Sequence, residues 1–229
     1  MSAIAAAVLA ASCVEAADVC ASRDRMIREQ IESRGITNAE VLAAMHQVPR
    51  HEFVPDRWIE AAYEDHPLPI GHGQTISQPY IVALMTELLQ PTHGARVLEV
   101  GTGSGYQAAI LAETGAEVYS VEILKPLADE AADRLRRLGY EKVHVKHADG
   151  YLGWPEHAPF DAVIVTAGAD HIPPPLVDQL RTGGRMVLPV GEPHGEQMLT
   201  LVEKGQDGKI TIQNVVPVLF VPLTRKPAR

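Results

Sequence analysis

The sequence predicts an α/β fold: a mostly parallel sheet with helices on both faces, an N-terminal helical addition and C-terminal β strands. Three observations predict it. From Arg96 onward, short apolar runs alternate with amphipathic stretches for about 100 residues. The first of those runs ends in a glycine-rich turn, Gly101-Thr102-Gly103-Ser104-Gly105. Hydrophobic residues make up 46% and charged residues 21%, enough apolar material for a full core in 229 residues. Strand and helix in alternation require right-handed crossovers, and these lay helices on both faces of one sheet.

The elements follow in order. Arg23–Arg34 reads as a helix with Met26, Ile27 and Ile31 on one face and Gly35 as its stop. Thr37 and Glu40 have the spacing of a capping box and open a second helix through Val41, Leu42 and Met45, ending before Pro49. Residues 49–79 are rich in Pro and Gly and read as loops with short strands. Ile81, Leu84, Met85, Leu88 and Leu89 then recur at helical spacing, with Ser77 as the expected cap and Pro79 in the first turn. Strands are expected at Arg96–Val100, Glu117–Glu122, Lys142–His147, Phe160–Thr166 and Arg185–Val190. Helices run from Tyr106 to about Glu113, over Leu124–Leu138 and over Pro173–Leu180, the last ended by Gly183-Gly184. Met198–Glu203 and Ile210–Val221 read as antiparallel strands around a turn at Gly205–Gly208.

Composition excludes several classes. Apolar content is too high for disorder, and no stretch approaches the roughly 18–20 apolar residues of a membrane span. Two cysteines, Cys13 and Cys20, cannot make a disulfide scaffold. A net charge of −9 argues against a nucleic-acid partner. The ten histidines show no metal spacing: His51-Glu52 lacks a second His, and His144 and His147 point to opposite faces of a strand. No metal, nucleic acid or membrane partner is expected, and the chain is expected to be a monomer. Trp58 and Trp154 read as packing residues or pocket lids, and Arg134, Arg136 and Arg137 as a solvated face. Residues 1–22 hold the apolar middle of an export signal, Ala3 to Ala11, without its basic start. They read as an extension, so the location is cytoplasmic, or periplasmic if they are a signal. Residues 23–229 read as one domain: a helical substrate part (23–92), a ligand-binding core (93–191) and C-terminal strands (192–229).

The glycine turn lies where the first sheet strand meets its helix, the place where glycine lets a backbone approach a ligand. Glu122 follows 21 residues after Gly101, at the end of the second strand, where a carboxylate can accept both hydroxyls of a ribose. The spacing is GxGxG rather than the dinucleotide GxGxxG, and Glu99 stands two residues before the first glycine, where it would repel a pyrophosphate. That suits a phosphate-free, cationic ligand with a ribose and an adenine: S-adenosylmethionine. Asp149-Gly150, after the third strand, adds an acceptor for the adenine amine. Expected cofactor contacts are thus Glu99, Gly101, Thr102, Gly103, Ser104, Gly105, Glu122, Asp149 and Gly150.

Beyond the cofactor loop, the chain resembles the protein-L-isoaspartate O-methyltransferase family, in its bacterial form. The resemblance rests on Val48-Pro49-Arg50-His51-Glu52-Phe53-Val54-Pro55, Gln74-Thr75-Ile76-Ser77-Gln78-Pro79-Tyr80, the Leu98–Gln107 loop, Asp149-Gly150, Phe160–Ala169 and Gly183–Gly191, and runs from about Arg23 to Thr224. It implies a Rossmann-like class I S-adenosylmethionine-dependent methyltransferase fold, methylation of isoaspartyl residues in damaged proteins with S-adenosylhomocysteine as product, and Ser77 as the active-site residue. Vertebrate forms carry histidines just after this serine; Tyr80 and Val82 stand there instead. An isoaspartyl α-carboxylate is ionised at pH 7 and needs no base. A neutral hydroxyl can orient it without the ground-state stabilisation of a cation, so Ser77 is expected to aim the carboxylate, with Thr75 and Gln78 shaping the pocket. Val221, in the last strand, is expected to line a wall for an extended peptide. The competing readings are methylation of another small molecule or protein group, an NAD-dependent oxidoreductase, and a non-catalytic binding module.

Overall fold

The computed structural model describes residues 18–193 and 195–225, so most of the extension read at residues 1–22 lies outside them. Strands β1 (Leu68–Gly71) and β2 (Gln74–Ile76) form a separate antiparallel hairpin. The main sheet comprises β3 (Arg96–Val100), β4 (Glu117–Glu122), β5 (Val143–His147), β6 (Phe160–Val165), β7 (Leu180–Gly191), β8 (Gln197–Lys204) and β9 (Ile210–Val218), in the order β5-β4-β3-β6-β7-β8-β9. The first five are parallel neighbours; β8 and β9 run antiparallel. The direction of winding reverses between β3 and β6, and a crevice opens at their carboxyl ends.

The helices are α1 (residues 18–26), α2 (Ala39–Gln47), α3 (Pro79–Leu89), α4 (Tyr106–Glu113), α5 (Lys125–Arg137) and α6 (Pro174–Gln179). The two-residue period of the strands divides the core into layers. Val97 and Ile164 pack with Met45, Phe53, Leu89 and Ile110 on one face. Leu98 and Val163 pack with Phe160, Leu176, Met186 and Leu188 on the other. Each such large side chain, fully buried, contributes on the order of 1.5–3 kcal/mol.

Several expected boundaries move. The first helix is already formed at residue 18, widens into a π turn at Ile27–Ile31 and closes as a 3-10 turn at Glu32–Arg34. Gly35 ends it with φ +94°, as its glycine suggested. The capping box at Thr37 does not form. Asn38 is the cap, its side-chain oxygen accepting from the Glu40 and Val41 amides at 2.9 and 3.1 Å. Both the Thr37 and Asn38 amides donate to Oε1 of Glu87, which reaches over from α3 and takes the place of the local Glu40. Ser77 caps nothing: α3 starts at Pro79 behind Gln78, with no side-chain cap bond. Strand β7 begins at Leu180, and a register break opposite Phe160–Ala162 absorbs Gly183-Gly184. Strand β9 stops at Val218, short of the expected Val221. The chain then crosses the end of β6, where the Gly168 amide donates to the Val221 carbonyl at 2.8 Å and the Leu223 amide to the Gly168 carbonyl at 2.7 Å.

Candidate active site

The crevice at the carboxyl ends of β3 and β6 encloses about 950 Å³, part of it open to solvent. One wall is the β1–β2 hairpin and its exit, with His72, Thr75 and Ser77. The floor is the glycine loop, Gly101 to Ser104, with Tyr106 and Gln107 of α4. Glu122 and Leu124 close one end, Gly150 and Thr166 border the middle, and Val221 to Thr224 form the opposite wall.

The loop is built for close approach and is held from behind. Gly101 has φ +98°, and a Cβ there would lie 2.5 Å from the Thr166 hydroxyl oxygen, so no side chain fits. That hydroxyl donates to the Gly101 carbonyl at 2.6 Å and fixes the turn to the end of β6. Arg134 of α5 donates to the Ser104 carbonyl at 2.9 Å. The solvated-face reading of that arginine is therefore corrected: it is half-buried and braces the loop, whereas Arg136 and Arg137 pair with Asp133 and Glu52 at the surface. Glu122 is buried, one oxygen accepting from the Gly103 amide and the other from the Leu124 amide, each at 2.9 Å. Carboxylate oxygens can each accept more than one bond, so both remain able to receive a ribose hydroxyl.

Four expected contacts, Glu99, Asp149, Gln78 and Gly105, are not among the lining residues. Glu99 is not on the crevice wall. The alternation of β3 puts it on the face of Val97, fully buried beneath the loop. Its Oε2 accepts from the Ser120 hydroxyl, which lies 2.6 Å from the Thr102 hydroxyl, and its Oε1 has no partner among the described residues. Burial pushes its carboxyl up to about 8, with the nearby Glu122 charge adding to the rise. Asp149 lies at the rim beside Gly150 rather than in the lining: it accepts from the Tyr151 amide at 3.1 Å and lies 3.7 Å from the Arg225 guanidinium. Gln78 points out of the site and donates to the Asp65 carbonyl at 3.0 Å. Ser77, Thr75, Val221, Gly101, Thr102, Gly103, Ser104, Glu122 and Gly150 all reach the crevice, while Gly105 sits behind it as the cap residue of α4.

Sequence reasoning missed Thr166, whose role appears only once β6 is placed beside β3. It also missed the work of Arg50, quoted only as part of a motif. Arg50 is fully buried, donates to the Ala62 carbonyl at 2.7 Å and lies 4.9 Å over the ring of Tyr106, joining the Val48–Pro55 segment to the crevice floor. Burial lowers its guanidinium to about 10. The expectation for the tryptophans is met in its packing half: Trp58 and Trp154 each pack against a core layer, away from the crevice.

Fold and site together define a class. A parallel sheet whose first strand runs into GxGxG, with an acid at the end of the next strand and a crevice over the reversal of strand order, is a Rossmann-like class I S-adenosylmethionine-dependent methyltransferase. A loop whose Gly101 admits no Cβ and the backbone-anchored Glu122 fit that cofactor. The chain belongs to the protein-L-isoaspartate(D-aspartate) O-methyltransferase family, whose model matches residues 21–228. It is 58% identical over 204 residues to a protein-L-isoaspartate O-methyltransferase of Opitutus terrae, covering 89% of this chain and 87% of that one. Among solved structures, one protein-L-isoaspartate O-methyltransferase superposes with a TM-score of 0.80 at 30% identity, covering 87% of this chain and 65% of that one. A Plasmodium falciparum protein described as a protein-L-isoaspartate O-methyltransferase, in complex with S-adenosyl-L-homocysteine, gives 0.77 at 27% identity, covering 89% and 98%.

Proposed function

We propose that this chain methylates the free α-carboxylate of L-isoaspartyl residues in damaged proteins and peptides, initiating their repair. One observation carries the reading: the Ser77 hydroxyl, released from any capping duty, lines the same crevice as the glycine loop and Glu122. Membership of the family supports it. When bound, S-adenosylmethionine supplies an electrophilic methyl group on a sulfonium, and S-adenosylhomocysteine remains. Glu122 would receive the ribose hydroxyls, the Gly101–Ser104 backbone would lie against the cofactor, and Gly150 would border its base.

The chain's own residues then have a limited task. The substrate carboxylate is already ionised at pH 7, so no proton need be removed. Ser77 donates to it and aims it, and alignment of reacting atoms is where such a site gains most of its rate. Among the described residues that line the crevice there is no lysine or arginine to hold the anion as a tight ion pair and blunt its attack. Val221 to Thr224 exclude water from the opposite side. Thr75, on the hairpin, shapes the entrance. The reading includes a monomer, one methyltransferase domain over residues 23–229, and a cytoplasmic location, or a periplasmic one if residues 1–22 direct export.

Paired peptides that differ only in an isoaspartyl or a normal aspartyl linkage test it. Methyl transfer to the isoaspartyl member alone is expected. Equal transfer to both, or transfer to neither while an unrelated acceptor is methylated, overturns it.

A further inference from the structure

The hairpin that leads to Ser77 ends in an unusual turn. Gly71, His72 and Gly73 all have positive φ, at 97°, 51° and 71°. His72 is thus a side-chain-bearing residue held in the left-handed region, which histidine tolerates better than most. It is exposed, yet it lines the crevice, and no hydrogen bond or ion pair to another described residue engages its ring. Ile70, two residues earlier, lies 3.4 Å from where a Cβ on Gly103 would be, so the hairpin is seated on the cofactor loop.

The electrostatics give His72 a task. The protein carries 29 acidic and 20 basic residues, and among the described residues the carboxylate lining the crevice is Glu122. An acidic peptide approaches a surface of its own sign. Among the described residues that line the crevice, His72 is the one whose side chain can become cationic; the other titratable groups there are Glu122 and the Tyr106 phenol, with Arg225 and Asp149 paired just beyond the rim. Neutral or protonated, an imidazole can also donate to a carboxylate. It does not reach the reacting group: strand β2 lies between His72 and Ser77, and a rise of roughly 3.3 Å per residue separates them by about 10 Å or more.

We propose that His72 is a substrate-specificity residue that receives carboxylates three or four positions from the isoaspartyl residue, favouring acidic flanking sequences. This rests on the isoaspartyl reading above. A rim charge of this kind acts on capture rather than on the chemical step, so it falls on KM rather than on kcat.

The test compares wild type with His72→Asn and His72→Asp, both of which tolerate the left-handed backbone. Isoaspartyl peptides carry Asp or Lys at the third and fourth flanking positions. Wild type is expected to show a KM about three- to fivefold lower for the Asp peptides. His72→Asn is expected to lose most of that preference and His72→Asp to reverse it. Tm should stay at the wild-type value in both, and the change should fall on the ratio of KM between Asp and Lys peptides rather than on the kcat they share. The same preference in all three proteins, or a variant effect confined to kcat, overturns the role of His72 and leaves the isoaspartyl reading standing. A wild type that methylates none of the isoaspartyl peptides overturns both.

Discussion

Ser77 has no structural duty that alanine would forfeit. It lines the crevice and caps no helix. Ser77→Ala is therefore expected to keep the wild-type Tm and S-adenosylhomocysteine affinity while kcat on isoaspartyl peptides falls by roughly 10²-fold, the scale for one well-placed donor. Thermal denaturation, calorimetry and methyl-transfer assays check the three parts; a lower Tm with intact turnover contradicts it. Glu99 behaves in the opposite way, as a buried acid with no place at the wall. Its carboxyl is raised from 4.5 to about 8 in the folded chain. Between those values the folded state holds a proton that the unfolded state has released, so this group's contribution to stability falls as pH rises through that window. The slope is at most about 1.4 kcal/mol per pH unit. Glu99→Gln should remove it, so urea unfolding at about pH 5.5 and about pH 8.5 should show the variant gaining on wild type at the higher value. At this scale the sequence told which residues stand at strand ends but not where their side chains turn. Glu122 was legible because a backbone amide on each oxygen keeps it at the crevice. The Tyr151 amide and Arg225 as partners of Asp149 were not, because each is supplied by a turn or a segment placed only in the folded chain.

Elements were legible wherever an apolar period ran unbroken. Strands β3 and β4 and helices α4 and α5 lie within a residue or so of their expected ends, since each is defined by its own alternation. Boundaries moved where a distant residue supplies the terminal bonds. Glu87 of α3 takes the Thr37 and Asn38 amides, so the start of α2 rests on Asn38 rather than Thr37. Asn38→Ala is expected to lower stability by about 1 kcal/mol, the usual cost of a lost cap. Thr37→Ala should stay within about 0.5 kcal/mol, because only its main chain is used. Chemical denaturation of the two variants checks this, and equal losses would restore the capping-box reading. The same principle accounts for β7, whose extra residues depend on pairing across a register break, and for residues 219–224, which are held by Gly168 and by the Gln197 side chain of β8 rather than by a continuous strand ladder.

The whole molecule explains what no local pattern could. Parallel strands bring the carboxyl ends of β3 and β6 to one edge. Strand β8 returns to the far edge and β9 comes back, so the chain after Val218 arrives over the crevice that the glycine loop opened more than 100 residues earlier. Val221 was expected in a strand wall; it lines the crevice instead as part of a crossing segment fixed to Gly168. One fold thus gathers a cofactor floor, a hydroxyl on a hairpin exit and a closing segment, and their joint geometry is the central claim. A crystal structure of the chain with S-adenosylhomocysteine and an isoaspartyl peptide tests it most directly. The predicted result has the ribose on Glu122, the α-carboxylate bonded to the Ser77 hydroxyl, and a carboxylate oxygen facing the cofactor sulfur with room for a methyl group between them. A cofactor bound outside the crevice, or a peptide carboxylate seated away from Ser77, would contradict it.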